Sequence, residues 1–168
     1  LKVDQIQLSN GNTPTAGDLG LNDTGTVLQV VTATNAATGF FTTSSTSYVT
    51  DATNAPSATI TPKATNSKIL IQYTIGMQHD GTGQIENTIY RAISGGSTTD
   101  LSGGNTYGLS FKGTTNQSWT ETSINWVDTP NTTSAVTYTW YSRAESPVSI
   151  SPTHAGSSWT ATLTEIAG

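Results

Sequence analysis

The sequence predicts an all-β protein, an antiparallel β-sandwich with essentially no helix. Short runs of alternating apolar and polar residues are interrupted by turn-forming residues about every ten positions. No window places apolar residues at i, i+3, i+4 and i+7 over three turns, which an amphipathic helix would require. Within this class the jelly roll is the favoured topology, although Greek-key and meander sandwiches give similar strand spacing.

The size and composition are those of one β-rich domain. The chain has 168 residues, of which only 10% are charged, against roughly 25% in typical soluble domains. Thr, Ser, Asn and Gly fill the polar share. Four Trp, six Tyr and three Phe, with many β-branched residues, indicate a folded chain rather than a disordered one.

Several classes of partner and chemistry are excluded by the same composition. A net charge of -5 with six scattered cations offers no basic surface for nucleic acid. No apolar run approaches the ~20 residues of a membrane span, so no membrane insertion is expected. The absence of Cys removes disulfides, thiolate nucleophiles and sulfur-ligated metals.

The first 24 residues differ from the rest in composition and in their hydrophobic pattern. Residues 7–23 are dense in Asn, Gly, Thr, Pro and Asp and show no sustained period, which is typical of consecutive turns. We therefore predict that residues 1–24 form an extended stem or linker, ordered only by packing on another chain or on the following domain. Residues 25–168 are predicted to form the β-sandwich head domain.

The clearest strand covers residues 68–78, where five large apolar side chains from Ile69 to Met77 fall on one face, with Gln72, Thr74, Gly76 and Gln78 on the other. Residues 84–93 follow with isoleucines on one face, interrupted by Asn87 and Arg91. The glycine-containing segment 80–83 lies between the two runs and predicts a hairpin.

The remaining strands follow the same logic. Residues 26–34 are apolar on both faces, which predicts a central strand. The phase slips within residues 119–126, which predicts a bulge or a bend. Further strands are predicted over residues 57–61, 105–112, 136–143 and 148–150, and from residue 159 onward. The in-phase tryptophans Trp126, Trp140 and Trp159 are predicted core residues.

Catalytic motifs are not evident. Gly108-Leu109-Ser110-Phe111-Lys112 departs from the G-x-S-x-G elbow at its last position, and the two histidines, His79 and His154, lack a motif that would join them to a nucleophile. We therefore predict no enzyme activity, no catalytic residues and no cofactor. His79-Asp80 lies outside any calcium-loop pattern, so no metal site is predicted.

A glycosidase is the enzymatic alternative. Glu86, Glu121 and Asp128 could in principle supply a carboxylate pair. Each lies on a strand predicted as edge or solvent face, which favours a solvated acidic surface.

The candidate binding residues lie at loop tips, where a β-sandwich presents groups to a ligand. Residues 79–83 combine a ring, a carboxylate and flexible backbone, and Tyr107 and Trp119 flank a loop where an exposed ring could stack on a sugar. We predict that His79, Asp80, Tyr107 and Trp119 contact a receptor. Turn and core roles are the alternatives for each residue taken singly.

Several segments, in order along residues 25–168, resemble a domain of structural proteins of tailed bacteriophages, notably marine ones. The segments are 25–31 (GTVLQVV), 46–49 (TSYV), 60–71 (ITPKATNSKILI), 127–130 (VDTP), 136–138 (VTY) and 163–168 (LTEIAG). Residues 17–20 (GDLG) resemble the lead-in that precedes this domain in fibre proteins.

The resemblance implies a trimeric jelly roll, similar to complement-like heads, at the end of a tail fibre or virion appendage. It implies a homotrimer on the virion exterior that contacts other virion proteins through residues 1–24 or an upstream region, and a host surface glycan or protein. No catalytic residues come with this family. Two alternatives stay open: a capsid-decorating or head-fibre protein bound through residues 1–24, and a secreted carbohydrate-binding module or glycosidase fragment.

Overall fold

The computed structural model describes residues 7–15, 17–21, 23–36, 41–79, 82–116, 118–145, 150–153 and 158–168. Within them lie eleven strands and no helix. The strands are β1 (Val27–Ala36), β2 (Phe41–Thr43), β3 (Ser57–Ile60), β4 (Lys68–His79), β5 (Gly83–Ile93), β6 (Thr98–Asp100), β7 (Ser110–Thr114), β8 (Ser118–Asp128), β9 (Val136–Ala144), β10 (Ile150–Thr153) and β11 (Ser158–Ile166). Accordingly, no helix in this described part is long and apolar enough to cross a membrane.

The strands form two antiparallel sheets. Sheet A has the order β1-β11-β4-β8, and β10 continues along β4 beyond β11 and pairs with β2. Sheet B has the order β3-β9-β5, with β6 and β7 along the other edge of β5. The two sheets pack face to face around one apolar core.

Strand pairing identifies the topology as a jelly roll. Among eight strands taken in chain order, the first pairs with the last (β1 with β11), the second with the seventh (β3 with β9), the third with the sixth (β4 with β8) and the fourth with the fifth (β5 with β7). A long antiparallel ribbon that folds over on itself produces this nested pairing. The predicted all-β antiparallel sandwich is therefore confirmed, and its jelly-roll topology is explicit in the pairing.

The core consists of side chains from both sheets, and alternation along the strands selects them. On β4 the inward residues Ile69, Ile71, Tyr73, Ile75 and Met77 are at most 1% exposed. The inward side chains of β5, β9 and β11 complete the core. Trp140 and Trp159 are buried as predicted.

A buried ionic cluster joins the two sheets beside this core. Arg91 on β5 donates from Nη1 to Asp128 on β8 at 2.7 Å, and the Tyr138 hydroxyl on β9 donates to the same carboxylate at 2.8 Å. β8 is an edge strand, as predicted, but Asp128 is 8% exposed, so the predicted solvated acidic surface is wrong for this residue. Burial, and then the negative charge of Asp128, raise the pKa of Tyr138 far above its ordinary value, which keeps this hydroxyl a donor.

The predicted hairpin between residues 68–78 and 84–93 is wrong. β4 lies in sheet A between β8 and β11, whereas β5 lies in sheet B between β9 and β7. The connection between the two strands therefore passes from one sheet to the other. Alternation within a strand specifies its buried face but not its pairing partner, which depends on contacts distant in sequence.

Two further strand predictions need correction. β1 pairs only with β11 among the described strands, and Val27 and Val30 are 55% and 56% exposed, so β1 is not central. β8 pairs with β4 residue by residue from Ser118 to Asp128 without a bulge. Trp126 is in the inward phase of β8 but is 40% exposed, because this strand forms the edge of sheet A.

The described part of the first 24 residues lies outside the two sheets and is made of turns and bends. Leu19 and Leu21 are about half exposed, at 48% and 56%. Thr24 donates from its hydroxyl to the carbonyl of Gly168 at 3.3 Å, where this segment reaches the sandwich. The division into a stem and a head domain stays a prediction.

Candidate functional site

A row of three side chains crosses the outer face of sheet B. Arg143 on β9, Glu86 on β5 and Phe111 on β7 are register partners on neighbouring strands. Ile85 and Asn87 point into the core, so Glu86 and its two partners lie on the opposite, outer face. Arg143 donates from Nε to Glu86 Oε2 at 2.5 Å.

The ion pair is largely removed from water although it lies on an outer face. Glu86 is only 2% exposed, so the prediction that it belongs to a solvated surface is wrong. A buried carboxylate needs a cation and hydrogen-bond donors, and Arg143 supplies both. Burial alone would lower the pKa of Arg143, but the bond to Glu86 and the nearby charges raise it above its ordinary value. Arg143 therefore stays a cation beside Glu86.

Arg143 also holds two other segments in place. It donates from Nη2 to the carbonyl of Thr106 at 2.5 Å, and its guanidinium lies 4.7 Å from the ring centre of Tyr48. Tyr48 in turn packs edge-on against Tyr90, which lies 4.1 Å from Tyr141 between ring centres. Burial raises the pKa of Tyr48 to about 12, so its hydroxyl stays neutral.

The loop over residues 101–109 brings Tyr107 to this face. Asp100 accepts from the amide and the hydroxyl of Ser102 at 2.9 and 2.8 Å, which fixes the start of the loop. The side chain of Asn105 accepts from the amide of Tyr107 at 3.2 Å.

Gly108 closes the loop where it meets the sheet. It has a φ of +67°, and a Cβ there would lie 2.3 Å from the carbonyl oxygen of Asn87 and 2.6 Å from the Tyr48 hydroxyl. Only glycine fits this close approach, so Gly108 sets the position of Tyr107.

An open pocket of about 340 Å³ lies beside the ion pair. Its lining residues are Thr46, Glu86, Thr106, Tyr107, Arg143, Ala144 and Glu145. Tyr107 and Phe111 lie next to each other at this pocket, with 5.0 Å between ring centres and 33° between ring planes. They are 47% and 58% exposed, so the two rings form an aromatic platform open to solvent.

The structure separates the predicted receptor-contacting residues. Tyr107 belongs to the platform on sheet B, whereas Trp119 is 60% exposed and lies in the outward phase of β8 on the outer face of sheet A. Both lie near the same end of the sandwich, but the core separates them, so one pocket cannot contain both. Asp80 and the side chain of His79 lie outside the described residues. The core role considered for Tyr107 and Trp119 is wrong, because both rings are exposed.

The three acidic residues considered for a glycosidase lie on three different sheet faces. Glu86 is on the outer face of sheet B, Glu121 is exposed on the outer face of sheet A, and Asp128 faces inward to Arg91 and Tyr138. A carboxylate pair for glycoside hydrolysis must flank one bond at about 5 to 9.5 Å. These residues therefore do not form such a pair.

Sequence reasoning missed Arg143, Phe111 and Tyr48 as members of one site. Phe111 was predicted only as part of a strand over residues 105–112, but this strand begins at Ser110, and residues 105–109 belong to the preceding loop. The contact of Arg143 with Glu86, 57 residues away, has no signal in the local pattern.

The fold is similar to chains in solved virus structures. A structure of infectious bursal disease virus, Gx strain, aligns with 83% of this chain and 32% of its own chain, at 18% identity and a TM-score of 0.50. A crystal structure of the VP2 subviral particle of the same virus aligns over 83% and 33%, at 18% identity and a TM-score of 0.44. The chain thus spans about a third of the length of these viral chains.

At this level of identity the similarity concerns the fold alone. No protein-family model matches the sequence, and no curated protein sequence is significantly similar to it.

Proposed function

We propose that this chain is a non-enzymatic structural protein of a virion, the head domain of a tail fibre or appendage. It assembles as a homotrimer on the virion exterior and binds the host cell surface, in particular its glycans. Residues 1–24 or an upstream region connect it to other virion proteins. The jelly-roll topology and the fold similarity to a viral chain support the viral part of this proposal.

The observation that carries the assembly part is the outer face of sheet A. Its outward side chains on four paired strands are nearly all neutral. They are Val30, Thr32, Thr34, Lys68, Leu70, Gln72, Thr74, Gly76, Gln78, Trp119, Glu121, Ser123, Asn125, Val127, Ser158, Thr160, Thr162, Thr164 and Ile166. Lys68, at the start of β4, and Glu121, toward the other end of that strand, are the charged residues in this set, and we call the set the neutral face.

The neutral face suits contact with a second copy of the same chain. Burying a charge without a partner is costly, whereas hydroxyl and amide groups can be buried when they are hydrogen-bonded. Several already are: Gln72 donates to Asn125 at 3.1 Å, and the hydroxyls of Thr74 and Ser123 lie 3.0 Å apart. Identical faces of this composition do not repel one another, and Val30 and Val127 add exposed apolar area.

Assembly can be tested with a charge placed on the neutral face. We expect light scattering to give about three times the 17.5 kDa mass of one chain at micromolar concentration. Gln72→Lys places an ammonium group at the centre of the face, where burial leaves it unpaired, and should reduce the mass to that of one chain.

The matched control is Thr59→Lys, which places the same group on the outer face of sheet B, where Thr59 is exposed. This variant should keep the mass of the wild type. A wild-type monomer at all concentrations would refute the trimer, and an intact Gln72→Lys trimer would show that the copies meet through another face.

The proposal gives different roles to the four predicted receptor-contacting residues. Tyr107 contributes to host contact from sheet B. His79 and Asp80 remain candidates. Trp119 borders the neutral face, so its exposed ring belongs to host contact only where assembly leaves it open.

A further inference from the structure

We infer that the outer face of sheet B carries a saccharide-binding site for a neutral pyranose, with the platform of Tyr107 and Phe111 under the sugar ring and the adjacent pocket receiving its hydroxyl groups. This inference deepens the host-attachment part of the proposed function and rests on it. It assigns the site and the class of sugar.

The platform provides what the apolar face of a sugar requires. One face of a pyranose presents C–H groups, and these pack on an aromatic ring that is open to solvent. Phe111 and Tyr107 are both about half exposed, and their rings meet at 5.0 Å. Adjacent exposed apolar side chains are typical of surfaces that bind a ligand or a partner.

The pocket provides fixed polar groups at the edge of this platform. Glu86 and Arg143 line it and are held by their mutual bond and by the carbonyl of Thr106. Thr46 and Glu145 add a hydroxyl and a second carboxylate. A volume of about 340 Å³ is at the lower end of the range for small-ligand sites, which suits one sugar unit. Groups fixed before binding lose little entropy when they accept or donate a bond to the sugar.

The charges of the pocket select a neutral ligand. Its lining contains two carboxylates, Glu86 and Glu145, and one cation, Arg143. Because Arg143 is already engaged with Glu86, Thr106 and the Tyr48 ring, no cation in the described lining of the pocket is left to pair with an anionic sugar. Uronic and sialic acids would therefore be repelled. The excess of carboxylates over cations in the pocket also disfavours the phosphates of a nucleic acid.

A single sugar unit should bind weakly, with a dissociation constant on the order of millimolar, and three copies on one trimer would raise the effective affinity. Saturation-transfer NMR with the methyl glycosides of glucose, galactose, mannose and N-acetylglucosamine measures this binding directly. We expect transfer to the ring C–H protons of at least one of them and none to methyl glucuronide or sialic acid.

Variants locate the site. Phe111→Ala and Tyr107→Ala should each weaken binding at least tenfold without lowering the melting temperature, because both side chains are exposed. Val127→Ala is the matched control, since it truncates a 52% exposed apolar side chain on the outer face of sheet A, and it should change binding less than twofold. Binding by no neutral glycoside, preference for the anionic sugars, or full binding by both platform variants would overturn the inference.

The test separates this inference from the assembly proposal. The site lies on sheet B, so the Gln72→Lys variant should bind each glycoside with the affinity of the wild type. Sugar binding by a wild-type monomer would refute the trimer and keep the site. A trimer that binds no neutral glycoside would refute the site and keep the trimer.

Discussion

Replacing Asp128 with alanine should lower the free energy of unfolding by about 3 to 5 kcal/mol. The substitution leaves Arg91 without its carboxylate partner at a position where its side chain is only 18% exposed, and it removes the acceptor of the Tyr138 hydroxyl. Two buried polar groups then lose their partners at once, and each costs free energy that no new contact returns. Because Arg91 and Asp128 come from opposite sheets, the substitution weakens the contact between the two sheets.

Urea denaturation at one fixed protomer concentration measures this effect, since the stability of an oligomer depends on concentration. Glu145→Ala removes an exposed carboxylate at the end of β9 and should cost less than about 0.5 kcal/mol. The double variant Asp128→Leu/Arg91→Met replaces both charges by apolar groups and should recover part of the loss. A cost below about 1 kcal/mol for Asp128→Ala would mean that the ionic cluster does not tie the sheets together.

Replacing Ile71 with alanine should lower the free energy of unfolding by about 2 to 5 kcal/mol. Ile71 is fully buried near the middle of β4, where the strand is flanked by β8 and β11. The truncated side chain leaves a cavity that two paired strands prevent from collapsing.

A smaller truncation at the same position tests whether the cost comes from a cavity. Ile71→Val removes one methylene group at the same site and should cost about 0.5 to 1.5 kcal/mol in the same denaturation experiment. If both variants cost the same small amount, Ile71 does not pack in the core and the register of β4 is wrong.

The sequence was sufficient to predict the strands with strict alternation. Residues 69–77 on β4 and residues 136–144 on β9 bury every second side chain, as their pattern indicates. Period two is a local property, because the pleat alone determines which side chains share a face. The fold class followed from many such runs and from the absence of a helical period.

The pairing of these strands could not be predicted in the same way. Asn87 and Arg91 interrupt the apolar face of β5, and they point inward, where they bond to Trp140 and Asp128. Their partners lie on other strands, so a local pattern cannot show that these polar groups are satisfied. Polar interruptions of this kind therefore make the pairing partner of a strand harder to predict than the strand itself.

The candidate site was predictable only in part. Tyr107 was chosen because it flanks the loop over residues 113–118, where an exposed ring could stack on a sugar. The structure places it in the loop before β7, at the pocket. Glu86 was assigned to solvent because acidic residues are rarely buried. Its burial depends on Arg143, which the chain brings beside it only through the β5–β9 pairing. Phe111 and Trp119 show that exposure of an aromatic ring depends on which sheet face remains uncovered.

Labelling of virus particles tests the central claim most directly. An antibody against residues 25–168 should be applied to particles purified from a lysate in which this chain is expressed, and the gold-labelled particles should be viewed by electron microscopy. The account predicts label on the exterior, at the ends of tail fibres or appendages. Label spread over the capsid shell would indicate a capsid-decorating protein instead, and particles that contain no label would contradict a structural role in the virion.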